Sequence, residues 1–156
     1  MYSGQAAYTP GGLLESVTDF AGRSVTYDYY DGVEPGGGLG DLKSVTTPVV
    51  LGTGHNDYPS GKTTVYTYSV GFADDRLNHN LLTITDAKGQ TFLANEYAPT
   101  QDPMDFMFDR VSGQTWGDTG DVIDIEYLDV VPSPSNNFAS LHAVVNDRVG
   151  HVSEYF

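Results

Sequence analysis

The stretch Leu14-Glu15-Ser16-Val17-Thr18-Asp19-Phe20-Ala21-Gly22-Arg23-Ser24-Val25-Thr26-Tyr27-Asp28-Tyr29 decides how this chain is read. Two alternating runs flank an Asp-x-x-Gly core, the pattern of a tight reversal. Asp accepts backbone hydrogen bonds at the first turn position, and Gly takes a positive φ at the last. The stretch is therefore expected to be a β-hairpin. By the two-residue period of a strand, Val25, Tyr27 and Tyr29 share one face while Ser24, Thr26 and Asp28 share the other.

Four further copies align on the same glycine, so the anchors are Gly22, Gly61, Gly89, Gly120 and Gly150. Successive anchors lie 39, 28, 31 and 30 residues apart, and an inserted segment, 49–58, accounts for the long first interval. At +5 from the anchor stand Tyr27, Tyr66, Ala94, Ile125 and Tyr155; at +7 stand Tyr29, Tyr68, Glu96 and Tyr127. Six of these nine slots are Tyr in a chain with 11 Tyr among 156 residues, which sets the register above chance. At −3 come Asp19, Tyr58, Asp86, Gly117 and Asp147, and Tyr58-Pro59-Ser60-Gly61 offers the same turn with Pro fixing φ at its second position.

A lone hairpin cannot bury its apolar face, so consecutive hairpins are expected to pair edge to edge. The reading is all-β: tandem hairpins forming a continuous, twisted or spiralling antiparallel sheet across a single segment, 1–156, with tyrosines laddered across strands. Gly (18), Pro (8) and Tyr suit short strands and tight turns. Met104 to Phe108 is expected to be strand or irregular. Both ends fall inside the pattern, which predicts a window cut from a longer array or a chain pairing with itself head to tail. The formal charge of −14 repels phosphate backbones and acidic lipid surfaces, so neither a nucleic-acid nor a membrane partner is expected. No 18-residue apolar run and no basic, apolar leader occurs, and the absence of Cys removes disulfides and thiolate chemistry.

Residues 14–29 resemble the Rhs or YD repeat, whose pattern is roughly Gly-Arg-Leu-x-Ser-Val-Thr-Asp-x-x-Gly-Arg-x-x-x-Tyr-x-Tyr-Asp. Leu82 to Gln90, Asn95-Glu96-Tyr97, Asp109-Arg110-Val111 and Gln114-Thr115 look like further stretches of it. The resemblance implies a long spiralling sheet that closes into a hollow shell, as in bacterial insecticidal toxin complexes, polymorphic contact-dependent toxins and teneurin adhesion proteins. It implies an extracellular or surface location, an enclosed cargo, and structural roles only. Asp19, Asp86 and Asp147 would be turn acceptors, and the five anchor glycines turn residues. Tyr27, Tyr29, Tyr66, Tyr68, Tyr127 and Tyr155 would be ladder residues. The family's self-cleaving core ends in an Asp-Pro-x-Gly type motif. Here Asp102-Pro103 is followed by Met104 and Asp105, so no cleavage site is expected.

Other signatures are incomplete. His55, His79, His142 and His151 lack metal-ligand spacing. Asp118, Asp121 and Asp124 with Gly117 and Gly120 lack the alternate-position pattern of a calcium loop, and a solvated acidic turn is expected there. Gly36-Gly37-Gly38-Leu39-Gly40 has no following Lys-Ser or Lys-Thr and is flanked by acids, so a flexible connection is expected. There is no Gly-x-Ser-x-Gly elbow, and Asp74-Asp75 reads as a solvated loop. No cofactor and no enzymatic activity are expected. A glycan-binding module using the Tyr faces, or Trp116, is the competing reading.

Overall fold

The computed structural model describes residues 4–117 and 121–156. Its regular structure is eleven strands and two short 3-10 turns, Asp75–Leu77 and Pro134–Asn136. The strands are β1 (Gln5–Tyr8), β2 (Leu14–Thr18), β3 (Ser24–Tyr29), β4 (Leu42–Thr46), β5 (Thr63–Tyr68), β6 (Leu81–Thr85), β7 (Thr91–Tyr97), β8 (Val111–Trp116), β9 (Asp121–Asp129), β10 (Leu141–Asn146) and β11 (Val152–Tyr155). They coincide with the runs of Val, Ile, Thr and Tyr, which suit a pleated, half-buried surface. Met104 to Phe108 is irregular: Asp102 and Asp105 each accept the backbone N–H two residues on, winding the segment into successive turns.

Contacts cluster in two units, residues 1–91 and 92–156. In the first, β1 to β6 pair antiparallel as chain neighbours. In the second, β7 to β11 do the same. The chain is thus all-β and built of successive antiparallel hairpins. The tight turns at 19–22, 86–89 and 147–150 share one end of the strands; the connections 30–41, 69–80, 98–110 and 130–140 lie at the other, with the tight turn at 9–12. The connections close alike: Tyr30 N–H donates to Asp41, Ser69 to Asn80, Ala98 to Arg110 and Val130 to Ser140, at 2.8–3.1 Å.

Just before four of these far ends the register slips by one residue, at Tyr8, Tyr29, Tyr68 and Tyr97. These tyrosines then face Leu14, Leu42, Leu81 and Val111. Tyr97 therefore occupies the place of Tyr29 and Tyr68. One additional residue in β7 moves it a position beyond Glu96, which the count from Gly89 puts at +7.

Among the described residues the buried hydrophobic side chains are only Tyr30, Leu77, Leu93 and Ala98, and no polar side chain is buried. A sheet usually rests one face on a second layer. Here Val17, Val65, Phe92, Val122 and Leu128 stay exposed on strands. Cohesion comes from cross-strand pairs instead. On the polar face of the first unit, hydroxyls meet in Thr18 with Ser24 (2.7 Å), Thr46 with Thr63 (2.9 Å), Thr67 with Thr83 (2.6 Å) and Thr85 with Thr91 (3.0 Å).

The glycine run 36–38 is a packed cover and not a flexible connection. The Tyr30 hydroxyl donates to the Tyr66 carbonyl at 2.8 Å, and its ring meets Tyr68 edge-on at 6.4 Å. The run crosses this ring, and Tyr68 N–H donates to Gly36 O at 2.7 Å. A Cβ on Gly37 would overlap the Tyr30 ring, and one on Gly38 would come within 2.7 Å of His79 Cε1. Close approach, more than backbone freedom, demands glycine here. Gly37→Ala should cost about 1–3 kcal/mol through overpacking, read as a lower urea midpoint, whereas Gly11→Ala, whose Cβ would meet only Thr9 Oγ1 at 3.8 Å, should leave the Tyr30 environment in aromatic spectra unchanged.

Candidate functional site

The repeated turn is one construction made several times. At Asp19 the backbone N–H donates to Arg23 O (2.9 Å), and Gly22 N–H donates to Asp19 O (3.0 Å). The carboxylate accepts from the N–H groups of Ala21 (2.8 Å) and Arg23 (3.0 Å). Asp86 repeats this with Lys88, Gly89 and Gln90, and Asp147 with Val149, Gly150 and His151. Gly22, Gly61, Gly89 and Gly150 all have φ between 76° and 86°. Gly120 lies outside the described residues.

In the second copy the work divides. Tyr58 O accepts from Gly61 N–H at 3.0 Å, while Val50 and Tyr58 exchange two backbone hydrogen bonds. The base of the hairpin is closed by Thr47: its N–H donates to Lys62 O, and its hydroxyl accepts from Lys62 N–H, both at 2.9 Å. Thr47 therefore stands where Asp19, Asp86 and Asp147 stand, with the insertion looping out after it. Ser44-Val45-Thr46 repeating Ser16-Val17-Thr18 is the sequence signal for this placement.

The tyrosines are spaced more widely than a ring-on-ring ladder. Tyr27 lies opposite Val45, Tyr66 opposite Ile84 and Tyr127 opposite Ala143. Each incoming strand thus places an aliphatic residue between tyrosines of successive copies. Tyr27, Tyr29, Tyr66, Tyr68 and Tyr127 are half-buried, and the Tyr29 hydroxyl donates to Leu14 O at 2.8 Å. Tyr155 is 60% exposed. Burial pushes the hydroxyls of Tyr30, Tyr68 and Tyr97 above the ordinary phenol pKa.

The histidines are dispersed. His55 is exposed, and His79, with φ 67°, puts Nδ1 2.8 Å from Asp41 Oδ1. His142 stacks on Phe156 with centroids 4.3 Å apart, and His151 faces Asp147 at 3.3 Å. Of the acidic set at 118–124, Asp118 is outside the described residues, and Asp121 and Asp124, three apart on β9, point to opposite faces. No group of three or more His, Asp or Glu able to hold a metal occurs among the described residues. Asp74 caps the 3-10 turn and pairs with Arg76 at 2.7 Å.

The insertion shapes a groove that the repeat alone lacks. It folds back beside the apolar face of the first hairpin, leaving an open groove of about 710 Å³ between Val17 and Val25 on one side and Pro48, Val49, Val50 and Leu51 on the other. Thr47, Asp19, Arg23 and Lys62 stand around it. A smaller hollow of about 310 Å³ adjoins it at Arg23, Pro48 and Val49. The sequence alone gives no sign of this groove, because it needs the insertion's path over β2 and β3.

No family model matches this chain, and no curated protein is significantly similar to it. No helix among the described residues is long and apolar enough to cross a membrane.

The turn carboxylates of Asp19, Asp86 and Asp147 are held below the usual aspartate pKa, chiefly by the backbone N–H groups they accept from. A carboxylate with a depressed folded pKa stabilises the fold fully above its unfolded value, about 3.9, and loses that contribution as pH falls through the folded value. The urea midpoint should therefore drop below about pH 4. The triple variant Asp19→Asn, Asp86→Asn, Asp147→Asn should be less stable at pH 7 and show a flatter acid limb. Superimposable acid limbs would remove these turns from the explanation.

Proposed function

We propose that this chain is a structural segment of a β-hairpin repeat array of the Rhs/YD kind. It would add strands to a wall, shell or extracellular filament of a secreted or surface-displayed bacterial protein. The observation that carries the reading is the single turn construction shared by Asp19, Asp86 and Asp147, with Thr47 substituting in the interrupted copy. A device repeated at one end of each sheet, where neighbouring hairpins differ in sequence, points to selection for regular stacking. The exposed apolar strand residues favour the same reading, since a lumen or a neighbouring wall would cover them. No chemical step is assigned to the chain.

Electron microscopy of the protein purified from its source tests this. Tubes, shells or filaments with a repeat of about 9.5 Å per hairpin, twice the strand spacing, are expected. Discrete particles of 16.9 kDa made of this chain alone would overturn it.

A further inference from the structure

The groove beneath the insertion has the chemistry of a small-molecule site independent of the repeat's structural role. Its walls are aliphatic: Val17 and Val25 face Pro48, Val49, Val50 and Leu51, with no aromatic ring among the lining residues. A sugar needs an aromatic platform to stack on, and none is offered. An extended peptide needs a free strand edge for its backbone. Here β2 is paired on both sides, by β1 and β3, and Val50 spends its N–H and C=O on Tyr58. What remains is recognition of an aliphatic chain by area alone.

The rim adds a sign. Arg23 and Lys62 against Asp19 leave it with one net positive charge, on a chain carrying 21 acidic and 7 basic residues. Asp19 is fully engaged, by two backbone N–H groups and by Arg23 at 2.7 Å. The Lys62 ammonium sits 4.3 Å over the Tyr58 ring and has no carboxylate partner among the described residues. That contact holds the cation at the mouth while leaving its other side to an anion.

We infer that the groove binds a long-chain monocarboxylate of the fatty-acid class, its chain against Val17, Val25, Val49 and Leu51 and its carboxylate on Lys62. The interrupted second copy is then the point where the repeat acquired a ligand. A loop that departs from a regular scaffold is the usual place for such a site.

The test is titration of the full chain with octanoate, decanoate and dodecanoate below their micelle concentrations, followed by amide shifts in ¹H–¹⁵N spectra. Shifts should concentrate at Val17, Val25, Thr47, Val49, Val50, Leu51 and Lys62. Affinity should rise with length by up to about fourfold per methylene, from about 0.8 kcal/mol per buried CH₂. Lys62→Glu, at an exposed side chain, should weaken dodecanoate about threefold or more while raising the affinity for dodecyltrimethylammonium. Val49→Asp, at a residue 54% exposed, should abolish binding with the strand spectrum intact. Equal binding of the cationic and anionic amphiphiles, shifts scattered over the sheet, or binding of an acidic Leu-rich peptide without binding of dodecanoate would each overturn the assignment.

Discussion

The hairpin bases at Thr9, Asp19, Thr47, Asp86 and Asp147 rest on one small constraint: a residue whose side-chain oxygen accepts the N–H at the start of the returning strand. Asp19, Asp86 and Asp147 do this with a carboxylate, Thr47 with a hydroxyl, and Thr9 does it from the opposite end of the sheet, accepting from Leu13 N–H at 3.1 Å. The bond fixes where the chain reverses, and hence which residue faces which across the pair. With so few side chains buried among the described residues, register has few other guardians. The hydroxyl pairs beside the turns, Thr18 with Ser24, Thr46 with Thr63 and Thr85 with Thr91, meet only because that bond sets the count.

Much of this was legible in the sequence because a turn needs particular atoms at particular spacings. Asp19, Asp86 and Asp147 with their glycines are readable as letters, and the alternation of Val25, Tyr27 and Tyr29 follows from the strand period. Thr47 was hidden twice, by a change of residue type and by the insertion that carries Gly61 far from it. Tyr97 was displaced by one additional residue, which a fixed offset from Gly89 cannot absorb. The packed glycines were misread because their reason lies in the Tyr30 ring, and Tyr30 is itself held by the Tyr66 carbonyl 36 residues away. Composition around a glycine run reports charge and freedom of the backbone, and not what crosses it.

The second copy shows how a regular scaffold gains individuality at small structural cost. Because Thr47 and Lys62 close the hairpin by themselves, the residues between them are free to leave the sheet and return. The Val50 and Tyr58 bridge makes a miniature ladder of its own, and Pro59 and Gly61 turn it back. The side of the sheet that the insertion lies against is the apolar one, carrying Val17, which stays exposed, and Val25. A cation parked over an aromatic ring then stands at the border between that side and solvent.

The register slips carry a consequence for how such sheets meet one another. Each adds a local increment of right-handed twist, and in the first unit those at Tyr8, Tyr29 and Tyr68 fall at the same position and so add in step. A surface twisted in this way lies flush only against a partner of matching twist, and not against a flat sheet. The dry, flat interdigitation that locks identical sheets into amyloid is thereby denied to a chain whose exposed apolar strand residues would otherwise invite it.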